Sequence, residues 1–120
     1  MGRLTRRTLG FGCFFFDADL DGLLDMLVVN GHIDDRVSQL RRDVQYAQPP
    51  HLFLNTRGGA VRDIAPALGG SFAAPKVGRG AAFADYDNDG DLDMVITTNN
   101  GPAHLYRNDH LAGNRSIRFR

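Results

Sequence analysis

"FADYDNDGDLDMVITTNN", Phe83 to Asn100, sets Asp85, Asp87, Asp89, Asp91 and Asp93 at alternate positions and then runs straight into an apolar, strand-like segment. Two carboxylates about 4 Å apart repel by roughly 4 kcal/mol at an effective dielectric of 20. A turn this acidic therefore needs a compensating positive charge. The pattern also occurs earlier, in "FFFDADLDGLLDMLVVNG", Phe14 to Gly31. Shifting the chain by 68 residues superposes Gly10, Gly12, Phe15, Asp17, Asp19, Asp21, Gly22, Leu24, Asp25 and Met26 on their counterparts from Gly78 to Met94. A second register, a shift of 53, aligns "HLFLN" (His51 to Asn55) with "HLYRN" (His104 to Asn108). The difference between the two shifts measures an insertion in the first repeat, within the polar stretch 32–50.

Each repeat reads as a Gly-bounded apolar strand, an aspartate loop and a second strand. The strands fall at Phe11–Phe16 and Met26–Val29, then at Ala81–Ala84 and Met94–Thr98. A third strand follows in each repeat (Leu52–Leu54; Leu105–Arg107), and a fourth, Ala60–Ala65, in the first. The insertion is expected to be a surface loop with one helical turn around Val37–Arg42. "GFGCFFF" and "MLVV" lack polar alternation, which predicts burial on both faces. Connections this short exclude parallel crossovers and call for antiparallel meanders. Repeated four-stranded antiparallel units that cover one another describe propeller blades. The expected fold is all-β, a partial β-propeller of about two four-stranded antiparallel blades.

Bulk composition narrows the function classes. The chain has 120 residues, 42% of them hydrophobic, enough for one modest domain. No apolar run is long enough to span a membrane as a helix. The start, "MGRLTRRTLGFGCFFF", is basic, but its apolar segment is too short and too broken by Gly for a signal peptide. Lone Cys13 reads as a small buried hydrophobe. All 14 acidic residues are Asp, and the net charge is zero. The arginines are scattered and not interleaved with aromatics, which argues against nucleic acid.

In Asp17-x-Asp19-x-Asp21-Gly22-x-x-Asp25, side-chain oxygens stand at positions 1, 3, 5 and 9. Glycine at position 6 supplies the positive φ that wraps a chain around an ion. Position 7, Leu23 or Asp91, offers its main-chain carbonyl. An all-oxygen donor set on a flexible loop suits Ca²⁺ better than Mg²⁺, so two calcium sites are expected. An EF-hand would require Glu at position 12, where Val28 and Ile96 stand, and helical flanks. A thrombospondin-type array would bring cysteines, and a dockerin pair would set its loops closer together.

These residues resemble a known family. Phe11-Gly12, the two D-x-D-x-D-G-x-x-D loops and the apolar strands that follow look like FG-GAP/VCBS repeats, the blades of integrin-α-type propellers. "FFFDADLDGLLDMLVVNGHID", "YAQPPHLFLN" and "GRGAAFADYDNDGDLDMVITTNNGPAHLYRND" are similar to bacterial relatives of the cartilage acidic protein, the ASPIC/UnbV-associated group. The likeness runs from about Thr8 to Asn114. It implies a secreted, calcium-binding propeller, extracellular or periplasmic, with a protein or carbohydrate ligand. It implies one blade over 8–66, carrying the 32–50 loop, and a second, incomplete blade over 78–114. The remaining blades would then lie outside this chain. Residues 115–120 look like the entry to a C-terminal domain. By match to the repeat, Asp17, Asp19, Asp21, Leu23 and Asp25 carry over as one ligand set, and Asp85, Asp87, Asp89, Asp91 and Asp93 as the other.

The expected role is a calcium-stabilised structural, adhesion or ligand-binding module without catalysis. The alternative is part of a propeller enzyme acting on polysaccharide, with His32, Asp34, Asp35, Arg36 and His51 as its candidate groups. No nucleophile elbow, HExxH helix or phosphate loop supports it. His32, after Asn30-Gly31, reads as a turn-stabilising group. His51 and His104 hold equivalent repeat positions, which favours a scaffold role. A third role would present Tyr46 and the Gln48-Pro49-Pro50 turn to a partner; a packing insertion between blades would look the same in sequence.

Overall fold

The computed structural model describes residues 5–109. Apolar runs broken by acidic or glycine-rich turns fold as two antiparallel sheets. The first has strands β1 (Gly10–Phe16), β2 (Asp25–Asn30), β3 (His51–Asn55) and β4 (Val61–Asp63) in sequential order. The second has β5 (Gly78–Ala84), β6 (Asp93–Thr98) and β7 (His104–Tyr106), again in order. Among the described residues this sheet has three strands, and neither sheet closes on itself. The sequence repeat is also a register repeat. Phe15 faces Met26 across β1–β2 as Phe83 faces Met94 across β5–β6, and each pair is bulged between its two glycines.

Glycines set how the sheets meet. A Cβ on Gly12 would lie 3.0 Å from the Ala81 nitrogen, and one on Gly78 would lie 2.2 Å from Val29 Cγ1. A side chain at Gly12 would hold β1 away from β5, and one at Gly78 would hold β5 away from β2. Alternation along a strand then puts Gly12, Phe14 and Phe16 on the face toward the second sheet. Phe83 reaches back, its ring 4.8 Å from Phe14 and 5.8 Å from Phe16. Leu27, Val29, Leu52, Met94 and Ile96 fill the shared core with Phe72.

Several expectations change in detail. The fourth strand shortens to Val61–Asp63, and the third strand of the second repeat runs one residue earlier than read. The expected helical turn in the insertion is present as α1 (Val37–Leu40). Two further helices, α2 (Ala65–Leu68) and α3 (Gly70–Ala73), join the sheets and had no periodic signal, being only one turn each. β1 is not buried on both faces. Phe15 is 59% exposed, and Cys13, read as buried, is exposed too, because both project from the face that no second sheet covers. The proposed blade end at 110–114 and the segment 115–120 lie outside the described residues.

The insertion braces the two repeats. Gln48 and Lys76 exchange main-chain hydrogen bonds of 2.9 and 3.1 Å. The Gln48 side chain accepts from Leu9 N–H and donates to the Arg7 carbonyl, which ties in the N-terminal segment. Arg79 donates to the His32 carbonyl, and Asn99 to the Tyr46 hydroxyl.

Candidate metal centres

Both aspartate loops connect the first two strands of a sheet, β1 to β2 and β5 to β6. Their backbones match. Position 4 has positive φ in each (Leu20, 57°; Asn88, 64°), and so does the glycine at position 6 (Gly22, 86°; Gly90, 102°). Each loop folds its acidic side chains inward. Carboxylate oxygens of Asp17, Asp19 and Asp25 lie within 4.8 Å of one another, and those of Asp85, Asp87 and Asp93 do the same. These are positions 1, 3 and 9 in both repeats.

Position 9 has a second task that sequence reasoning missed. Asp25 is buried and accepts from Ala18 N–H at 2.9 Å and from Asn55 N–H at 2.8 Å. Asp93 repeats the arrangement with Tyr86 N–H and Asn108 N–H, both at 2.8 Å. Each carboxylate straps the start of its loop to the third strand's exit, at the last residue of β3 (Asn55) and two residues past β7 (Asn108). The clue was the asparagine that closes both "HLFLN" and "HLYRN". Asn108 does more, since its side chain donates to the buried Ala18 carbonyl of the first loop at 2.8 Å.

The other ligand positions are less alike. Asp17 accepts from Asp21 and Gly22 N–H at 3.0 and 2.9 Å, and Asp21 accepts from Leu23 N–H at 2.8 Å. Asp21 is not among the three clustered carboxylates. In the second loop Asp89 accepts from Asp91 N–H and groups with Asp87 and Asp109, a neighbour the sequence reading did not include. Asp91 is buried, although only its carbonyl was expected to matter. Arg107 approaches Asp87 at 3.8 Å and pairs with Asp109 at 2.8 Å, partly offsetting the acidity of this loop.

The crowding shows in the proton affinities. Burial raises the pKa of Asp19, helped by the charges of Asp21 and Asp25. Burial also raises that of Asp25, against the pull of the Asn55 and Ala18 amides. Asp87 is raised by partial desolvation and by Asp89 and Asp93, against the Asp89 amide. Carboxylates held together in this way favour either protons or a cation. The donors are all oxygens, which fits a hard divalent ion.

Of the residues considered for catalysis, His32, Asp34 and His51 are engaged in the scaffold. His32 Nδ1 accepts from Asp34 N–H at 3.1 Å, and the Asp34 side chain accepts from Arg36 N–H, so this segment is a hydrogen-bonded turn. His51 Nδ1 lies 2.7 Å from Asp63, whose other oxygen accepts from Leu52 and Ala65 N–H. The His51 ring also stacks on Phe53.

The FG-GAP-like repeat model matches residues 17–96, from the first aspartate of the first loop into β6. The chain belongs to the FG-GAP-like repeat family. The matched span of this FG-GAP-like chain holds both acidic loops, with strands β2 to β5 and the start of β6. No curated protein and no solved structure matches the chain. FG-GAP-like repeats fit a propeller-like fold, and this chain forms two small antiparallel sheets. No helix among the described residues is long and apolar enough to cross a membrane.

Proposed function

We propose that the two loops are calcium sites and that the protein is a calcium-clamped, non-catalytic propeller module. One observation carries this reading: the same three carboxylate positions converge within 4.8 Å in both repeats, on loops of matching backbone. Asp17, Asp19 and Asp25 would hold one ion, with Asp21 and the Leu23 carbonyl completing the set. Asp85, Asp87 and Asp93 would hold the other, with Asp89 and the Asp91 carbonyl. Bound calcium supplies the positive charge that offsets the crowded carboxylates.

Extracellular calcium modules bind at about 10⁻⁴ to 10⁻³ M. At roughly 1 mM calcium and the tighter end of that range, each site adds about 1.4 kcal/mol of native stability. Cytosolic calcium would leave such sites empty, which supports an extracellular or periplasmic role. The ASPIC/UnbV-associated group, blades over 8–66 and 78–114, and a protein or carbohydrate ligand belong to the same proposal. The bracing roles of His32, Tyr46 and His51 support a scaffold over a polysaccharide-acting site.

A thermal melt in EDTA and in about 1 mM CaCl₂ tests it. Calcium should raise the midpoint by roughly 4–8 °C per kcal/mol gained, and Asp19→Asn with Asp87→Asn should abolish the rise. Identical cooperative melts in both buffers would overturn the calcium reading.

A further inference from the structure

Phe16, Leu27 and Leu52 are 2%, 0% and 0% exposed because the second sheet covers them. Their repeat counterparts on the second sheet are Ala84, Val95 and Leu105. Ala84 and Leu105 are exposed, Leu105 at 53%, and Val95 is half-buried. With Ala82 they line an apolar depression of 160 Å³. Phe14 and Phe16 fill the equivalent place on the first sheet with two phenyl rings, where the second sheet has only alanine methyls. An apolar cavity of about 150 Å³ accommodates a benzene ring, so one phenyl side chain suits this depression.

The complementary surface is on the same molecule. The face that covers the first sheet is built from Ala81, Phe83, Met94 and Ile96, and its counterparts are Cys13, Phe15, Met26 and Val28. Cys13 and Phe15 are exposed, and Met26 and Val28 are only half-buried. The chain therefore displays both halves of an interface that it already forms internally between β1 and β5.

We infer that a second copy of this chain docks head to tail, with Phe15 of one copy entering the Ala82–Ala84–Val95–Leu105 depression of the next. The contact continues the internal sheet-to-sheet packing outward. Such a heterologous interface closes into a ring when the rotation permits and otherwise propagates. At two sheets per copy, a ring of about 4–8 blades corresponds to two to four copies. Asp93, a proposed ligand, also borders the depression, but the inference rests on the apolar groups alone and is tested with and without calcium.

Multi-angle light scattering on the full chain, from about 1 to about 100 µM to cover the weaker end of interface affinities, tests it in calcium and in EDTA. The expected result is concentration-dependent assembly in multiples of the 13.2 kDa chain mass. Phe15→Asp and Ala82→Asp alter exposed positions and should each give a monomer with an unchanged circular dichroism spectrum. Mixed together, they retain one intact pair of faces and should form a heterodimer and nothing larger. Cys13 should become slower to alkylate as the wild-type concentration rises. A wild-type chain that stays monomeric throughout, either variant assembling as wild type, or a mixture that fails to pair would overturn the inference.

Discussion

Leu20 and Asn88 hold the same loop position at nearly the same positive φ, yet only asparagine tolerates that conformation readily. A left-handed conformation costs most L-residues about 1–2 kcal/mol. Leu20→Asn should therefore raise stability by about 1 kcal/mol, measured by urea unfolding with the slope unchanged. Asp25 and Asp19 are both clustered carboxylates, but their removal should have different consequences. Asp25→Ala deprives Ala18 and Asn55 N–H of their acceptor, and should cost about 2–4 kcal/mol even in EDTA. Asp19→Asn removes a crowded charge and should leave the metal-free protein at least as stable, while erasing the calcium response of its loop. A large loss from Asp19→Asn in EDTA would contradict this division of labour. pH gives a third check. Asp19 and Asp25 have raised pKa values in the fold. For an acid, that contribution to stability is fully present below the unfolded value of about 3.9 and is lost as pH rises through the folded value. Calcium competes with the same protons, so the midpoint gain from calcium should shrink as pH falls from 7 toward 4. A gain independent of pH would rule these carboxylates out as ligands.

The elements were legible where two signals agreed. Gly-bounded apolar runs marked β1 and β5, and the repeat carried register and bulge from one hairpin to the other. The inward carboxylates at positions 1, 3 and 9 could be read from their spacing, but the strap from Asp25 to Asn55 could not, because it joins groups 30 residues apart through main-chain N–H. Burial was misread for Cys13 and Phe15 because an all-apolar strand does not reveal which of its faces is covered. Helices α2 and α3 escaped notice because four residues cannot display a 3.6-residue period. The close approach of the sheets depends on glycine for space, and this can be tested. A methyl at Gly78 would meet Val29 Cγ1 at 2.2 Å and the Asn30 carbonyl oxygen at 2.8 Å. Gly78→Ala should cost about 1–3 kcal/mol by overpacking. Gly58→Ala, with nothing within 4 Å of its Cβ, should be far milder in the same assay. Equal effects would mean that the packing of β5 on β2 does not depend on this contact.

Across the whole molecule the two repeats are joined by packing and by a few buried polar links, of which one reaches a proposed metal loop directly. Asn108, at the end of the second repeat, donates to the carbonyl of Ala18, which lies between Asp17 and Asp19. Its own main chain is held by Asp93 of the second loop. A line of hydrogen bonds thus runs from one acidic loop to the other, and ordering either loop should help to order both. Asn108→Ala leaves the Ala18 carbonyl without this donor and should cost about 1–3 kcal/mol, the range for an unmet buried polar group. The informative background is Asp87→Asn, in which the second site is disabled and only the first binds calcium. There, Asn108→Ala should weaken calcium binding to the first loop several-fold by titration calorimetry, although residue 108 belongs to the other repeat. An unchanged affinity, with the fold intact by circular dichroism, would show that the loops act separately and that only packing unites the sheets.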